Sequence, residues 1–241
     1  MLHLRNQLDQ DHRWSSRLFF RIYDLYLSLF NPDGRERRIA KRRRKAAERR
    51  YPVVQALADD FLKSFPVVKL NLGCGDVLLE GWINVDRRED VPGIDVNYDL
   101  SQPFPFRDST VDFIYNEHFL EHLTPEEGVR FLRECRRCLK PGGVARIAMP
   151  HIKSVINHYF NDDFKSDQAR RDGIQTKAEM VNIGFKHWGH QWLYDETELY
   201  RRLREAGFEQ IELRAFNESP HPELRNLETR IWTKLICEAT K

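Results

Sequence analysis

The chain has 241 residues, enough for one α/β domain with an appendage, because domains commonly run to roughly 100–200 residues. Its 41% hydrophobic and 32% charged residues exclude a collagenous or wholly disordered chain. The formal net charge of +2 hides an asymmetry: residues 1–65 carry 15 Lys/Arg against 8 Asp/Glu, whereas residues 66–241 carry 24 against 29.

The first ten residues lack the basic run, apolar core and small-residue cleavage site of a signal peptide. The longest apolar stretch, Leu18 to Phe30, is interrupted by Arg21 and Asp24 and is shorter than the ~20 residues of a spanning helix, so no transmembrane segment is expected. Residues 17–30 place Leu18, Ile22, Leu25 and Leu29 at helical spacing, which predicts an amphipathic helix. Asn31-Pro32-Asp33-Gly34 predicts a turn, and Arg35 to Arg50 a basic, solvated helix that Tyr51-Pro52 should break. Residues 1–65 are thus expected to form a helical extension, and residues 66–241 the main domain.

After Pro66, short β-branched runs alternate with helical ones, the pattern of a doubly wound parallel sheet. The expected strands are 67–72, 82–86, 95–98, 112–115 and 144–148. A helix beginning at Pro125 beside Thr124 should end at Lys140-Pro141-Gly142-Gly143. Residues 151–192 lack a strong period and are expected to form an insertion over the carboxyl edge of the sheet. A helix over 196–206, a strand over 209–215 and a last strand over 230–237, antiparallel to the rest, complete an α/β, Rossmann-like, mainly parallel sheet.

Chemistry concentrates at the first strand. The sequence VVKLNLGCGDVLLEGWINVD sets an apolar strand before a glycine pair and a second strand ending in a carboxylate. Gly73 and Gly75 permit close ligand approach, and Asp86 can accept two ribose hydroxyl hydrogen bonds, which together predict a nucleoside site. NAD fits poorly: its G-x-G-x-x-G requires glycine at position 78, which is Leu78, and its acid is expected about 20 residues on, not at Asp86.

With these residues in view, the chain resembles the class I S-adenosylmethionine (SAM) dependent methyltransferases, and within them predicted bacterial methyltransferases with an LGCG motif followed by GWxNVD. The resemblance covers about 66–216 and rests on four ordered motifs: Leu72-Gly73-Cys74-Gly75, Asp86, Tyr98-Asp99-Leu100 with the PFPFRDSTVDFIYNEHFLEHL block, and CLKPGG. It implies SAM as cofactor, bound about Leu72, Gly73, Cys74 and Gly75, with Gly73 and Gly75 bordering the methionine portion, Asp86 on the ribose, and Asp99 and Leu100 about the adenine. It also sets Asn116, Glu117 and His118 beside the methyl and amino-acid ends. Asn71 stands where many relatives carry Asp or Glu. Only eleven positions separate Gly75 from Asp86, so the first crossover helix should be stunted or absent.

Two other patterns have bland readings. His118-Phe119-Leu120-Glu121-His122 satisfies the zinc-protease pattern H-x-x-E-H, yet it follows a buried strand and soon meets Pro125, so a one-turn helix and no metal are expected. Cys135 and Cys138 form C-x-x-C on an apolar helix face, which predicts core packing. With Cys74 and Cys237 they are expected to be free thiols in a reducing cytoplasm.

The insertion carries His151 and the group Phe185, His187, Trp188, His190, Trp192 and Tyr194. His151 or His190 is the expected general base for an acceptor hydroxyl. The expected activity is methyl transfer to a small-molecule or glycan acceptor on oxygen; RNA or protein methylation and a non-catalytic SAM-binding regulator are the alternatives. Arg35, Arg37, Arg38, Lys41, Arg42, Arg43, Arg44 and Lys45 could meet an anionic membrane surface or a nucleic acid, so the expected location is cytoplasmic, with a peripheral position at the inner membrane face as an option.

Overall fold

The computed structural model describes residues 34–161 and 173–241. The amphipathic segment expected over 17–30 lies outside the described residues, as does part of the insertion. The chain divides into two compact units, Met1–Ala46 and Ala47–Lys241. One helix, α1 (Gly34–Ser64), runs across that division, so its second half goes with the sheet.

Contrary to the expected break, α1 continues through Pro52. A proline inside a helix costs about 3 kcal/mol, and what offsets it is burial downstream. Val54 and Ala58 are buried, and Tyr51, Phe61 and Leu62 pack against the same core, the i, i+4, i+7, i+8 stripe of a docked helix. The Tyr51 hydroxyl donates to Phe104 O at 3.0 Å, and Arg107 clasps Asp59 with two bonds of 2.9 and 2.6 Å.

The sheet has seven strands in the order β3-β2-β1-β4-β5-β7-β6. They are β1 (Lys69–Leu72), β2 (Ile83–Asp86), β3 (Val96–Asn97), β4 (Val111–Glu117), β5 (Leu139–Pro150), β6 (Gln210–Leu213) and β7 (Thr233–Thr240). The first five pair in parallel, and β7 is antiparallel to both neighbours. The Rossmann-like reading therefore holds. Strand β5 begins earlier than expected, immediately after α2 (Pro125–Cys138), and β7 lies three residues later than expected. Both shifts fall at ends, where hydrophobic pattern constrains least.

Helix α2 starts as its sequence dictates. Thr124 Oγ1 accepts from Glu127 N–H, while the Glu127 carboxylate accepts from Thr124 N–H, a reciprocal cap beside Pro125. Helices α3 (Ile152–Phe160), α4 (Lys177–Asn182) and α5 (Glu196–Glu205) follow.

Alternate strand residues point to opposite faces, and the two faces are built differently. On one, Leu70, Leu72, Ile83, Val85, Ile114, Ala145 and Ile147 pack with residues of α1, α2 and α5. On the other, a smaller cluster of Trp82, Tyr115, Val144, Ala148 and Ile236 is covered by Leu224 and Leu227 from the β6–β7 connection. That face also carries polar strand residues. Asn71 donates to Val77 O at 2.9 Å and to Asn84 Oδ1 at 3.0 Å, and Asn84 Oδ1 also accepts Leu79 N–H at 2.9 Å. These side-chain amides hold the β1–β2 connection in turns, with no helix, as the short gap predicts.

Candidate cofactor site

The strand order reverses between β1 and β4, and in open α/β sheets ligands bind outside the carboxyl ends of the strands at such a switch point. Chain direction there is set by backbone bonds. Gly73 N–H and Cys74 N–H both donate to Val85 O, at 2.8 and 3.3 Å, which lays the glycine turn across the end of β2. Gly73 and Gly75 have φ of +70° and +57°, the left-handed region that favours glycine.

Asp86 closes the arrangement. Its Oδ2 accepts Gly75 N–H at 2.9 Å and its Oδ1 accepts Arg88 N–H at 3.0 Å. Each carboxylate oxygen keeps acceptor capacity for another donor. A Cβ built on Gly75 would meet nothing within 4 Å, so the space above it is open. Gly73 is different: a Cβ there would lie 2.4 Å from Phe119 Cδ2. The Phe119 ring rests on Gly73, whereas the space over Gly75 is open.

The remaining expected cofactor positions divide into two groups. Tyr98 N–H donates to Asp86 O at 2.9 Å, which brings the Asp99-Leu100 turn to the end of β2. Asp99 Oδ1 accepts from Ser101 N and Oγ at 3.1 and 2.7 Å, and Leu100 is buried. Asn116 Nδ2 donates to Leu72 O at 2.8 Å, whereas its Oδ1 is buried with no hydrogen-bond partner among the described residues. The carbonyl it bonds fixes which amide atom is nitrogen. Cys74 is buried; burial foremost, then the nearby Asp86, pushes its thiol up to about 12, so it is no nucleophile.

Glu117 and His118 belong to a neighbouring contact. Glu117 accepts from Thr229 N–H and Oγ1, Arg230 N–H and Thr233 Oγ1. Burial pushes its pKa up, but the Thr233 and Thr229 hydroxyls and the two backbone N–H groups outweigh that and leave it lowered. The carboxylate thus anchors the 229–233 segment. His118 takes the unusual φ of +52°, and its Nε2 lies 3.0 Å from Thr233 Oγ1. Burial, then the charge of Arg230, brings its pKa down to about 4.

The two base candidates sit in separate contacts. His151 caps α3, its Nδ1 accepting Lys153 N–H at 3.0 Å, while Nε2 pairs with Glu196 Oε2 at 2.9 Å. Nδ1 is committed to the cap, whereas Nε2 meets Glu196 at ion-pair distance without an aligned hydrogen bond. His190 Nδ1 lies 2.7 Å from Gly184 O, so Nδ1 carries the proton and Nε2 keeps its lone pair. Burial lowers its pKa. All four cysteines are free, as expected, and all are buried, which was expected of Cys135 and Cys138; no described helix is long and apolar enough to cross a membrane.

Residues 84–147, from β2 to β5, match the family model described as a methyltransferase domain. The match supports an enzyme that uses SAM. A search of the curated proteins finds no match. Among solved structures, the chain is similar to a SAM-dependent methyltransferase from Thermotoga maritima, at 17% identity over 82% of this chain and 95% of that one, with a TM-score of 0.47. A SAM-dependent methyltransferase from Archaeoglobus fulgidus is similar at 18% identity over 91% of this chain and 99% of that one, TM-score 0.44. The N1-methyltransferase of 1,6-didemethyltoxoflavin from Burkholderia thailandensis, solved with S-adenosylhomocysteine, is similar at 18% identity over 79% and 77%, TM-score 0.43. At such values the fold assignment rests on the strand order itself.

Proposed function

We propose that the protein transfers a methyl group from SAM to a small-molecule or glycan acceptor, on oxygen. The observation that carries this reading is the approach of Gly75 N–H to Asp86 Oδ2 at 2.9 Å beneath open space. When bound, SAM supplies a methyl group already activated on a sulfonium. Asp86 would hold the ribose hydroxyls with its remaining lone pairs, and the Asp99-Leu100 turn would flank the adenine. The unpartnered Asn116 Oδ1 is an acceptor suited to the cofactor ammonium. What the chain contributes is alignment, which can lower a barrier by roughly 7–11 kcal/mol in good cases.

On the acceptor side, Phe185 and Trp188 are exposed, and the Trp188 ring lies 5.8 Å from that of His190. Exposed aromatic faces beside the sheet edge suit a sugar ring, which supports the glycan reading. Of the two imidazoles, His190 retains the lone pair a general base needs; His151 would first have to release Lys153 N–H. The basic run of α1, in which Lys45 and Arg49 are exposed, favours a second reading, methylation of RNA or a protein. It also underlies the proposal that this helix meets anionic lipid or nucleic acid.

A labelled-methyl screen of cell extract fractions tests the acceptor. Label in glycans or small molecules is expected. Label in RNA or protein instead would replace the first reading with the second, and SAM binding without transfer to any fraction would favour a regulator.

A further inference from the structure

Beyond Glu117 the chain turns sharply at His118 and enters a single tight turn, Leu120–His122. This turn faces the segment that returns from the insertion. Gln191 N–H and Trp192 N–H donate to Glu121 O at 2.8 and 3.2 Å, and Gln191 Nε2 donates to His122 O at 2.6 Å. His190 is therefore carried directly over Glu121 and His122, and the rings of His122 and His190 meet edge-to-face at 4.9 Å.

The carboxylate at the centre is anomalous. Glu121 is fully buried, and neither of its side-chain oxygens has a hydrogen-bond partner among the described residues. A buried polar group left in that state costs roughly 1–3 kcal/mol, more when charged, and proteins rarely tolerate it without a reason. What surrounds it are imidazole nitrogens at ion-pair rather than hydrogen-bond distance: His118 Nδ1 at 3.5 Å and His190 Nε2 at 3.9 Å from Glu121 Oε1. His190 presents that nitrogen as a lone pair because its Nδ1–H is bonded to Gly184 O. A ring nitrogen fixed by a backbone carbonyl on its far side is how metal-ligating histidines are usually oriented.

We propose that Glu121, His122 and His190 bind a divalent transition-metal ion, zinc by their donor set, with His118 beside its fourth position. One ligand atom from each of the three lies within 4.8 Å of the others. Zinc bonds of about 2.0–2.2 Å require ligand atoms about 3.3 Å apart, so the side chains must close by an ångström or so around the ion. Two imidazoles and a carboxylate without a thiolate suit zinc and its first-row neighbours and exclude a soft-metal site. The ligands differ from those an H-x-x-E-H helix would supply: Glu121 becomes a ligand, and the third group comes from the insertion. The ion would pin residues 189–192 to the loop after β4, two residues beyond Phe119, whose ring lies on Gly73. A metal-bound His190 is not a base, so this site and a base role for His190 exclude each other.

The test is metal binding by the full chain, free of any affinity tag and stripped with a chelator, and it does not depend on SAM. Zinc titration should give one ion per chain, weakened more than about 100-fold in Glu121→Gln and in His190→Ala, beyond the 10–100-fold that changes outside the ligand shell cause. Thermal unfolding supplies a second readout. Without zinc, Glu121→Gln should be as stable as the parent or more so, since it removes a buried carboxylate; with zinc, only the parent should gain in Tm. No zinc binding by the parent, or equal binding and equal zinc-dependent stabilisation in both variants, overturns the proposal.

Discussion

Gly73 and Gly75 share a backbone conformation but not a neighbour, and that difference can be measured. Gly75→Ala should cost only the left-handed strain, about 1–2 kcal/mol, because nothing lies within 4 Å of the new Cβ. Gly73→Ala carries the same strain and must also displace the Phe119 ring from 2.4 Å, adding about 1–3 kcal/mol of overpacking. In urea unfolding, a double-mutant cycle of Gly73→Ala with Phe119→Ala should show that coupling, and the cycle of Gly75→Ala with Phe119→Ala should be additive. Additivity in both would refute the contact of Phe119 with Gly73. The turn of Gly73 and Gly75 against Asp86 is legible in sequence because it follows from short-range spacing. Phe119 is not, since nothing local says which way a ring in a tight turn points. Nor is the contact of His151 Nε2 with Glu196, which lies on another helix.

Strand β5 joins its neighbours through a group that its apolar context conceals. Arg146 is fully buried, donates from Nε and Nη2 to Glu228 at 2.6 and 3.0 Å and from Nη1 to Glu238 at 2.8 Å, and reaches Glu218 O and Ala215 O as well. It ties β7 and the β6–β7 connection to the sheet face that Leu224 and Leu227 cover. Arg146→Leu leaves the buried Glu228 without its cation and Glu238 with Arg214 alone, and should cost about 3–5 kcal/mol, read as a lower urea midpoint; an unchanged midpoint would refute the network. A pH dependence follows from Glu238. Burial pushes its pKa up, but hydrogen bonds from Arg214, Ser219 and Arg146 outweigh this and leave it lowered. A depressed folded-state pKa stabilises above the unfolded value, roughly 4.3, and that contribution is lost as pH falls through the folded value. Glu238→Gln should therefore flatten the fall of stability below about pH 4; an acid limb of unchanged slope would contradict this. Sequence could not show the network, since the partners of Arg146 lie 82 and 92 positions away. The same holds for α1, where local chemistry at Pro52 argues for a break and long-range burial of Val54 and Ala58 overrides it.

At the largest scale, the unit Ala47–Lys241 is built on a seven-stranded sheet whose one face is covered by helices and whose other is covered by a connection and a polar network. The helix-covered side was readable from alternating apolar runs and from Thr124 and Pro125 at the start of α2. The barer side was foreshadowed only by the short interval between Gly75 and Asp86. The strand reversal between β1 and β4 is where both descriptions meet, and calorimetry with SAM tests the cofactor reading there most directly. The parent should bind one SAM per chain and not NAD, and Asp86→Ala should weaken SAM at least about 10-fold, the loss of one to two charged hydrogen bonds at roughly 1.5–3 kcal/mol each. Absence of SAM binding by the parent, or equal affinity in Asp86→Ala, would contradict the account.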